Sequence, residues 1–167
     1  MLSGGGDADA MTAPVRHDRA RFLVAGGWLV LYLSACATPA LEFAYRDGGP
    51  AHSDLGVNVL IGGAFGLFVG QFGWYANLIV PFALALLLAR QYLAAAICAA
   101  VAVLIALDTL LLFGHPIPLD EGGSPDYVLH RLGIGFFLWI ASMLAILVPS
   151  IGWQVTVGRA GRRAPTL

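Results

Sequence analysis

The sequence predicts an all-α, polytopic membrane protein with four transmembrane helices and both termini in the cytoplasm. Three observations carry that expectation. Of the 167 residues, 59% are hydrophobic and 11% are charged, whereas soluble domains carry about 25% charged residues. Four apolar stretches are long enough for a hydrocarbon core of about 30 Å, which takes about 20 residues of helix. Finally, the nine basic residues are all arginine, and most of them fall on one side of those stretches.

The same composition excludes several classes of function. A mean hydropathy of +0.80 is too high for a water-soluble enzyme or a disordered chain. Nine basic against ten acidic side chains leave no surplus charge to hold phosphates, so no nucleic-acid partner is expected. The first partner is the lipid bilayer itself.

Residues 1–21 read as a disordered cytoplasmic N-terminus, with a Ser-Gly-Gly-Gly run and no hydrophobic period; Met11 is an alternative start. The first span follows from Phe22 to Leu41. Within it, Leu33-Ser34-Ala35-Cys36 after an arginine cluster resembles a bacterial lipoprotein processing site, which marks Cys36 for lipidation if the chain is cut there. The apolar run continues through Leu41 without a break, which favours an uncut span.

The second stretch is anomalous. Val57 to Ala89 is 33 residues without a charge, about 50 Å as a straight helix, and ordinary tilt does not absorb that excess. We read 57–68 as an interfacial or re-entrant lead-in and 70–89 as the crossing. Pro81 lies inside the crossing, where it removes the bond to the Asn77 carbonyl and predicts a kink. The third span covers about 91–113, after a tight turn at Arg90, and the fourth about 132–151. Residues 154–167 form a basic cytoplasmic tail.

Orientation comes from the arginines. Arg16, Arg19, Arg21, Arg90, Arg159, Arg162 and Arg163 fall on one side. Glu42, Asp47, Asp54, Asp120, Glu121 and Asp126 fall on the other, with only Arg46 and Arg131 against them. The positive-inside bias makes the arginine side cytoplasmic. Arginine without lysine, together with many alanines, points to a bacterial inner membrane.

Several groups are candidates for chemistry or binding. Gly62, Gly66 and Gly70 recur every four residues, and Ala95, Ala99, Ala102 and Ala106 make a small-residue face on the third span. Both patterns suit close helix packing, within the chain, in a homo-oligomer or against other membrane proteins. In a hairpin turning at Arg90, residues whose numbers sum to about 180 lie at equal depth, which sets Gln71 opposite Asp108 and Thr109. Gln71, Asn77 and Asp108 are the polar intramembrane residues, with Asp108 near the outer boundary and Asn77 deeper. His52, His115 and His130 gather on the outer side with Glu42 and the other acids; His115, His130, Asp108 and Glu42 are the weak catalytic candidates. No ligand spacing implies a metal, and no cofactor is expected. The third loop, from His115 to Tyr127, is rich in proline and glycine and is expected to form defined turns that could close over the lead-in.

The segments Cys36-Ala-Thr-Pro-Ala-Leu-Glu-Phe43, Trp74-Tyr-Ala-Asn77, Leu119-Asp-Glu-Gly122 and Leu138-Trp-Ile-Ala-Ser-Met143 occur in this order. This arrangement resembles small uncharacterised bacterial four-span inner-membrane proteins over most of Phe22 to Trp153. The resemblance implies the architecture and supplies no catalytic residues. The functional expectation is a structural, assembly or regulatory membrane subunit, and the sequence leans away from an enzyme. The alternatives are a membrane-embedded enzyme or redox subunit with an outward His and carboxylate site, and a small transporter.

Overall fold

The computed structural model describes residues 13–45, 51–113 and 127–163. The chain is mostly helical. Among the described residues, three helices are long and apolar enough to cross a membrane, over Arg19–Ala37, Tyr92–Phe113 and Ile134–Arg159. The first belongs to α1 (Ala13–Ala37). The second is α4 (Tyr92–Ala106), continued by a 3-10 helix over Leu107–Phe113. The third belongs to α5 (Ile134–Arg163). The N-terminal region expected to lack structure is therefore helical from Ala13, and the expected C-terminal tail continues α5 to Arg163.

The long charge-free stretch divides into two shorter helical pieces. The first comprises α2 (Gly56–Gly62) and a 3-10 helix over Gly63–Val69. It stops at Gly70, whose φ of 73° is left-handed backbone that glycine adopts at little cost. The amide N–H groups of Gly70 and Gln71 then turn back to the carbonyls of Leu67 and Gly66, at 3.2 and 2.8 Å, a Schellman closure. The second piece is a 3-10 turn, Gly73–Tyr75, running into α3 (Ala76–Leu88). At about 1.5 Å per residue, Gly73–Leu88 is about 24 Å long, shorter than the crossing expected over 70–89.

The expectation of a purely helical chain is corrected by a three-stranded antiparallel sheet. Its strands are β1 (Pro39–Tyr45), β2 (His52–Leu55) and β3 (Tyr127–Leu132), in the order β2-β1-β3. The first span accordingly ends at Ala37 instead of Leu41. Thr38 precedes a proline and is pushed toward extended backbone, while its hydroxyl donates to the Ser34 carbonyl at 2.8 Å. Leu41, Phe43 and Leu129 then bury one face of the sheet with Ala40 and Leu112. On β3 the register skips from Leu129 to Arg131, so His130 is the extra residue of a bulge.

Helix α1 packs on α5, α5 on α4, and α4 on α3. The centre is an alanine seam. Ala76, Val80, Ala83 and Leu87 of α3 meet Ala95, Ala99, Ala102 and Ala106 of α4, with Met143 and Ile146 of α5 alongside. Both sets repeat at helical spacing, and the small side chains let the backbones approach closely. Alanine also has the highest helix propensity, which suits the same residues to the interior of α4.

The α3–α4 hairpin turns at Arg90, with φ 63°. Arg90 N–H donates to the Leu87 carbonyl at 3.1 Å and Gln91 N–H to the Leu86 carbonyl at 2.9 Å. This is again a Schellman closure, here with arginine in the left-handed position. Arg21 of α1, only 6% exposed, donates to the carbonyl of Leu88 at the end of α3. The helix order therefore gathers Arg19, Arg21, Arg90 and Arg159 at one end of the bundle. Glu42, Asp54 and Asp108 lie at the opposite end, with the sheet.

Candidate functional site

Two features of the sheet-bearing end could carry function: a hydrogen-bonded knot around Asn77, and a cavity beneath the sheet. Asn77 lies in the first turn of α3. Its side-chain oxygen accepts from the Tyr32 hydroxyl at 3.2 Å and from the Trp139 indole N–H at 2.8 Å, while its amide donates to the Trp74 carbonyl at 2.9 Å. One amide thus ties α1, α3 and α5 together. The sequence marked Asn77 as a deep polar group but not its partners. The signal was there, since Tyr and Trp in an apolar span each carry a polar handle that needs a partner.

The cavity has a volume of about 450 Å³. Leu41, Val59, Phe65 and Leu112 contribute apolar surface to it, and His52, Asp54, Asn58 and Gln71 contribute polar groups. Trp74 also lines it and is fixed in place. Its indole N–H donates to the Leu60 carbonyl at 2.6 Å, and its ring lies so close to Gly63 that a Cβ there would come within 2.5 Å of it. A second, smaller cavity of about 70 Å³ reaches Tyr32, Cys36, Asn77 and Trp139, and shares Val59 and Trp74 with the larger one.

The hairpin register brings Phe72 to Asp108 and Gly73 to Thr109, pairs whose numbers sum to 180 and 182. Phe72 N–H donates to the Asp108 carboxylate at 2.6 Å. A Cβ on Gly73 would lie 2.3 Å from the Thr109 hydroxyl, so only glycine fits this crossing. Gln71 sits in the turn between the two helical pieces, and its Oε1 is buried with no hydrogen-bond partner among the described residues.

The glycine stripe does not form as a single helical face, because the backbone changes from α to 3-10 geometry at Gly63. Four residues then advance about 480° instead of 400°. Gly62 faces open space, Gly66 lies against Gln71 within its own turn, and Gly70 is the left-handed stop. Ala95 and Ala99 are fully buried in the seam between helices.

Among the polar residues of the sheet-bearing end, Glu42 and Arg131 form an ion pair across β1 and β3 at 2.9 Å. His52 Nε2 lies 3.3 Å from Asp54 on the same side of β2. His130 is exposed on its bulge, apart from both pairs. His115, Asp47, Asp120, Glu121 and Asp126 lie outside the described residues, as does the third loop expected to close over the lead-in. Among the described residues, no three His, Cys, Asp or Glu side chains come together as a metal site. Cys36 occupies the last turn of α1, and Cys36 and Cys98 are both free thiols.

The arrangement defines a helical protein with three membrane-length apolar helices and a sheet-capped cavity at the acidic end. No family model, curated protein or solved structure matches the chain.

Proposed function

We propose that the chain is a four-span protein of a bacterial inner membrane, with both termini cytoplasmic, acting as a structural, assembly or regulatory subunit. The observation that carries this reading is the committed state of Asn77. Its side chain spends both its oxygen and its amide on holding helices together, and the seam beside it is closed by alanines. That is the construction of a rigid body and a poor one for a hydrated transport path.

Large apolar side chains on the outside, such as Leu29, Val30 and Leu33 of α1 and Leu93, Ile97 and Leu104 of α4, suit lipid or partner helices. In this reading Gly73–Leu88 is the fourth crossing. Its shortfall of about 6 Å against the hydrocarbon core is accommodated by local thinning and by Arg90 reaching toward the headgroups. The arginine-bearing end faces the cytoplasm.

Reporter fusions at residue 48, at Gln91 and after Leu167 test the orientation: the first is expected outside and the other two inside. Mild-detergent purification from native membranes tests the role. A partner, or a second copy, retained in fixed ratio through gel filtration is expected. A monomer whose vesicles show uptake abolished by Asn77→Ala would overturn the reading in favour of a transporter.

The second reading, a membrane-embedded enzyme with an outward site, is favoured by the His52–Asp54 pair on the wall of the larger cavity. Turnover lost on His52→Ala with folding intact is its test.

A further inference from the structure

We propose that Gly56–Val69, the piece formed by α2 and the 3-10 helix after it, lies flat within the leaflet at the sheet-bearing end, with its outward side chains embedded among lipid acyl chains. The inference rests on the membrane setting of the reading above, and on neither the subunit role nor which end is cytoplasmic. No charged residue occurs from Gly56 to Phe72. Along that stretch Ile61, Phe65 and Phe68 are 72%, 69% and 82% exposed. Phe65 and Phe68 are three residues apart in 3-10 geometry, so they share one face. Large apolar side chains gathered in the open in this way mark an interaction surface.

The depth of the segment follows from its contacts. Arg21 donates to the Leu88 carbonyl, which puts α1 and α3 on a common scale. At about 1.5 Å per residue, Tyr32 and Asn77 both stand about 16 Å above that contact; the two are hydrogen-bonded, so the scales agree. Ala35 and Trp74 both stand about 21 Å above it. Gly56 lies against Ala35, where a Cβ would collide with the carbonyl oxygen, and Gly63 lies against the Trp74 ring. Both ends of α2 are therefore at one height, and α2 runs across the bundle from α1 to α3. Its length, about 10 Å, matches one interhelical spacing. The 3-10 helix stays near that level, with the Ala64 carbonyl accepting from the Tyr75 hydroxyl at 3.3 Å and Gly66 packed on Gln71.

Depth and charge then select the occupant. With the arginine end at one boundary of a hydrocarbon core about 30 Å thick, a height of about 21 Å is about 9 Å inside the other boundary. That lies within the immersion of about 5–10 Å found for helices that rest in an interface. Acyl chains ask for neither charge nor hydrogen bond, and Ile61, Phe65 and Phe68 offer neither. The one polar side chain of the segment, Asn58, lines the cavity beneath the sheet with His52 and Asp54 instead. The segment also packs on the start of α3, so it fills the space beyond a helical piece shorter than the core.

The experiment uses the full chain in phosphatidylcholine vesicles, with Cys36 and Cys98 replaced by alanine and one nitroxide label attached at Ile61→Cys or Phe68→Cys. Val30→Cys on α1 and Ser53→Cys on β2 give the lipid and water references. Power-saturation electron paramagnetic resonance compares access of oxygen, which concentrates among acyl chains, with access of a water-soluble nickel chelate present on both sides of the membrane. The oxygen-to-nickel ratio at Ile61 and at Phe68 is expected to exceed that at Ser53 by about tenfold or more, and the two should agree within about twofold. Both should fall below Val30, which stands about 13 Å above the Arg21 contact and so near mid-bilayer.

Gel filtration of each labelled chain identifies a lost fold, and Val57→Cys and Leu67→Cys serve if either label disrupts it. Nickel access at Ile61 and Phe68 equal to that at Ser53 overturns the proposal, because the segment then lies in water. Low access of both oxygen and nickel overturns it in favour of a protein covering, from a partner, a second copy or the chain's own loops. A steep difference between Ile61 and Phe68 overturns the flat placement in favour of a re-entrant one. If Val30 is also open to nickel, the membrane setting fails and the proposal fails with it; if Val30 is lipid-exposed, a failure at Ile61 and Phe68 belongs to the proposal alone.

Discussion

Trp139 of α5 donates its indole N–H to the side-chain oxygen of Asn77 on α3 at 2.8 Å, and Tyr32 of α1 donates to the same atom at 3.2 Å. Deleting the shared acceptor strands two donors in an apolar setting. Asn77→Ala is expected to lower stability by about 2 kcal/mol, measured by denaturant unfolding in detergent. In a double-mutant cycle with Trp139→Phe the coupling should be about 0.6 kcal/mol, the average for hydrogen bonds between membrane helices, and at most about 1.7 kcal/mol. Strictly additive losses would show that the bond contributes nothing.

Two glycines should respond in opposite ways. At Gly73 a Cβ would press on the Thr109 hydroxyl at 2.3 Å, so Gly73→Ala is expected to cost about 1–3 kcal/mol as an overpacked contact. Thr109→Ala in the same chain should recover part of that loss. At Gly62 nothing lies within 4 Å of the added carbon, so Gly62→Ala is expected to be neutral or to stabilise by up to about 1 kcal/mol. Melting temperatures of the three variants check both expectations, and equal losses at the two glycines would contradict the geometry.

The turn at Arg90 isolates a backbone effect. Arg90→Gly and Arg90→Ala remove the same side-chain interactions, but only glycine is at ease at φ 63°. The glycine variant should be more stable than the alanine variant by about 1 kcal/mol. Equal unfolding midpoints would mean that the turn relaxes to another shape.

Asp108 is expected to act as a clamp on the turn before α3, because its carboxylate holds the Phe72 N–H at 2.6 Å. Asp108→Ala should speed hydrogen exchange at the Phe72 amide, whereas Asp108→Asn, which keeps an oxygen acceptor, should retain most of the protection. Unchanged exchange in the alanine variant would remove the clamp.

The residues differ in how much of this could be read in advance. Long charge-free runs announce apolar helices because a span must satisfy its own backbone in lipid, and α1, α4 and α5 followed from that. The hairpin turn at Arg90 also followed, but counting outward from it sets Gln71 opposite Asp108 and Thr109, whereas the structure sets Phe72 against Asp108 and Gly73 against Thr109. The sheet did not. Leu41-Glu42-Phe43 alternates as a strand should, but it adjoins the apolar run of α1, and its partner Tyr127–Leu132 lies beyond α2, α3 and α4. Pairing across such a separation leaves no local trace. The glycine repeat misled for a related reason: a period of four reads as a stripe only if the helix stays α-helical, and from Gly63 it does not. The cavity was invisible because it exists only once the sheet covers the turn at Gln71.

The pairing of β1 with β3 also sets an order of assembly. Glu42 and Arg131, joined across the sheet, are 89 residues apart, and both α3 and α4 are synthesised between them. During translation β1 and β2 emerge first as a bare hairpin, and the free edge of β1 is covered only when β3, leading into α5, arrives. The sheet thus closes only after α1 to α4 have been delivered. A chain arrested before β3 would leave the apolar central strand β1 with an unpaired edge, the kind of surface that quality-control proteases and neighbouring chains engage.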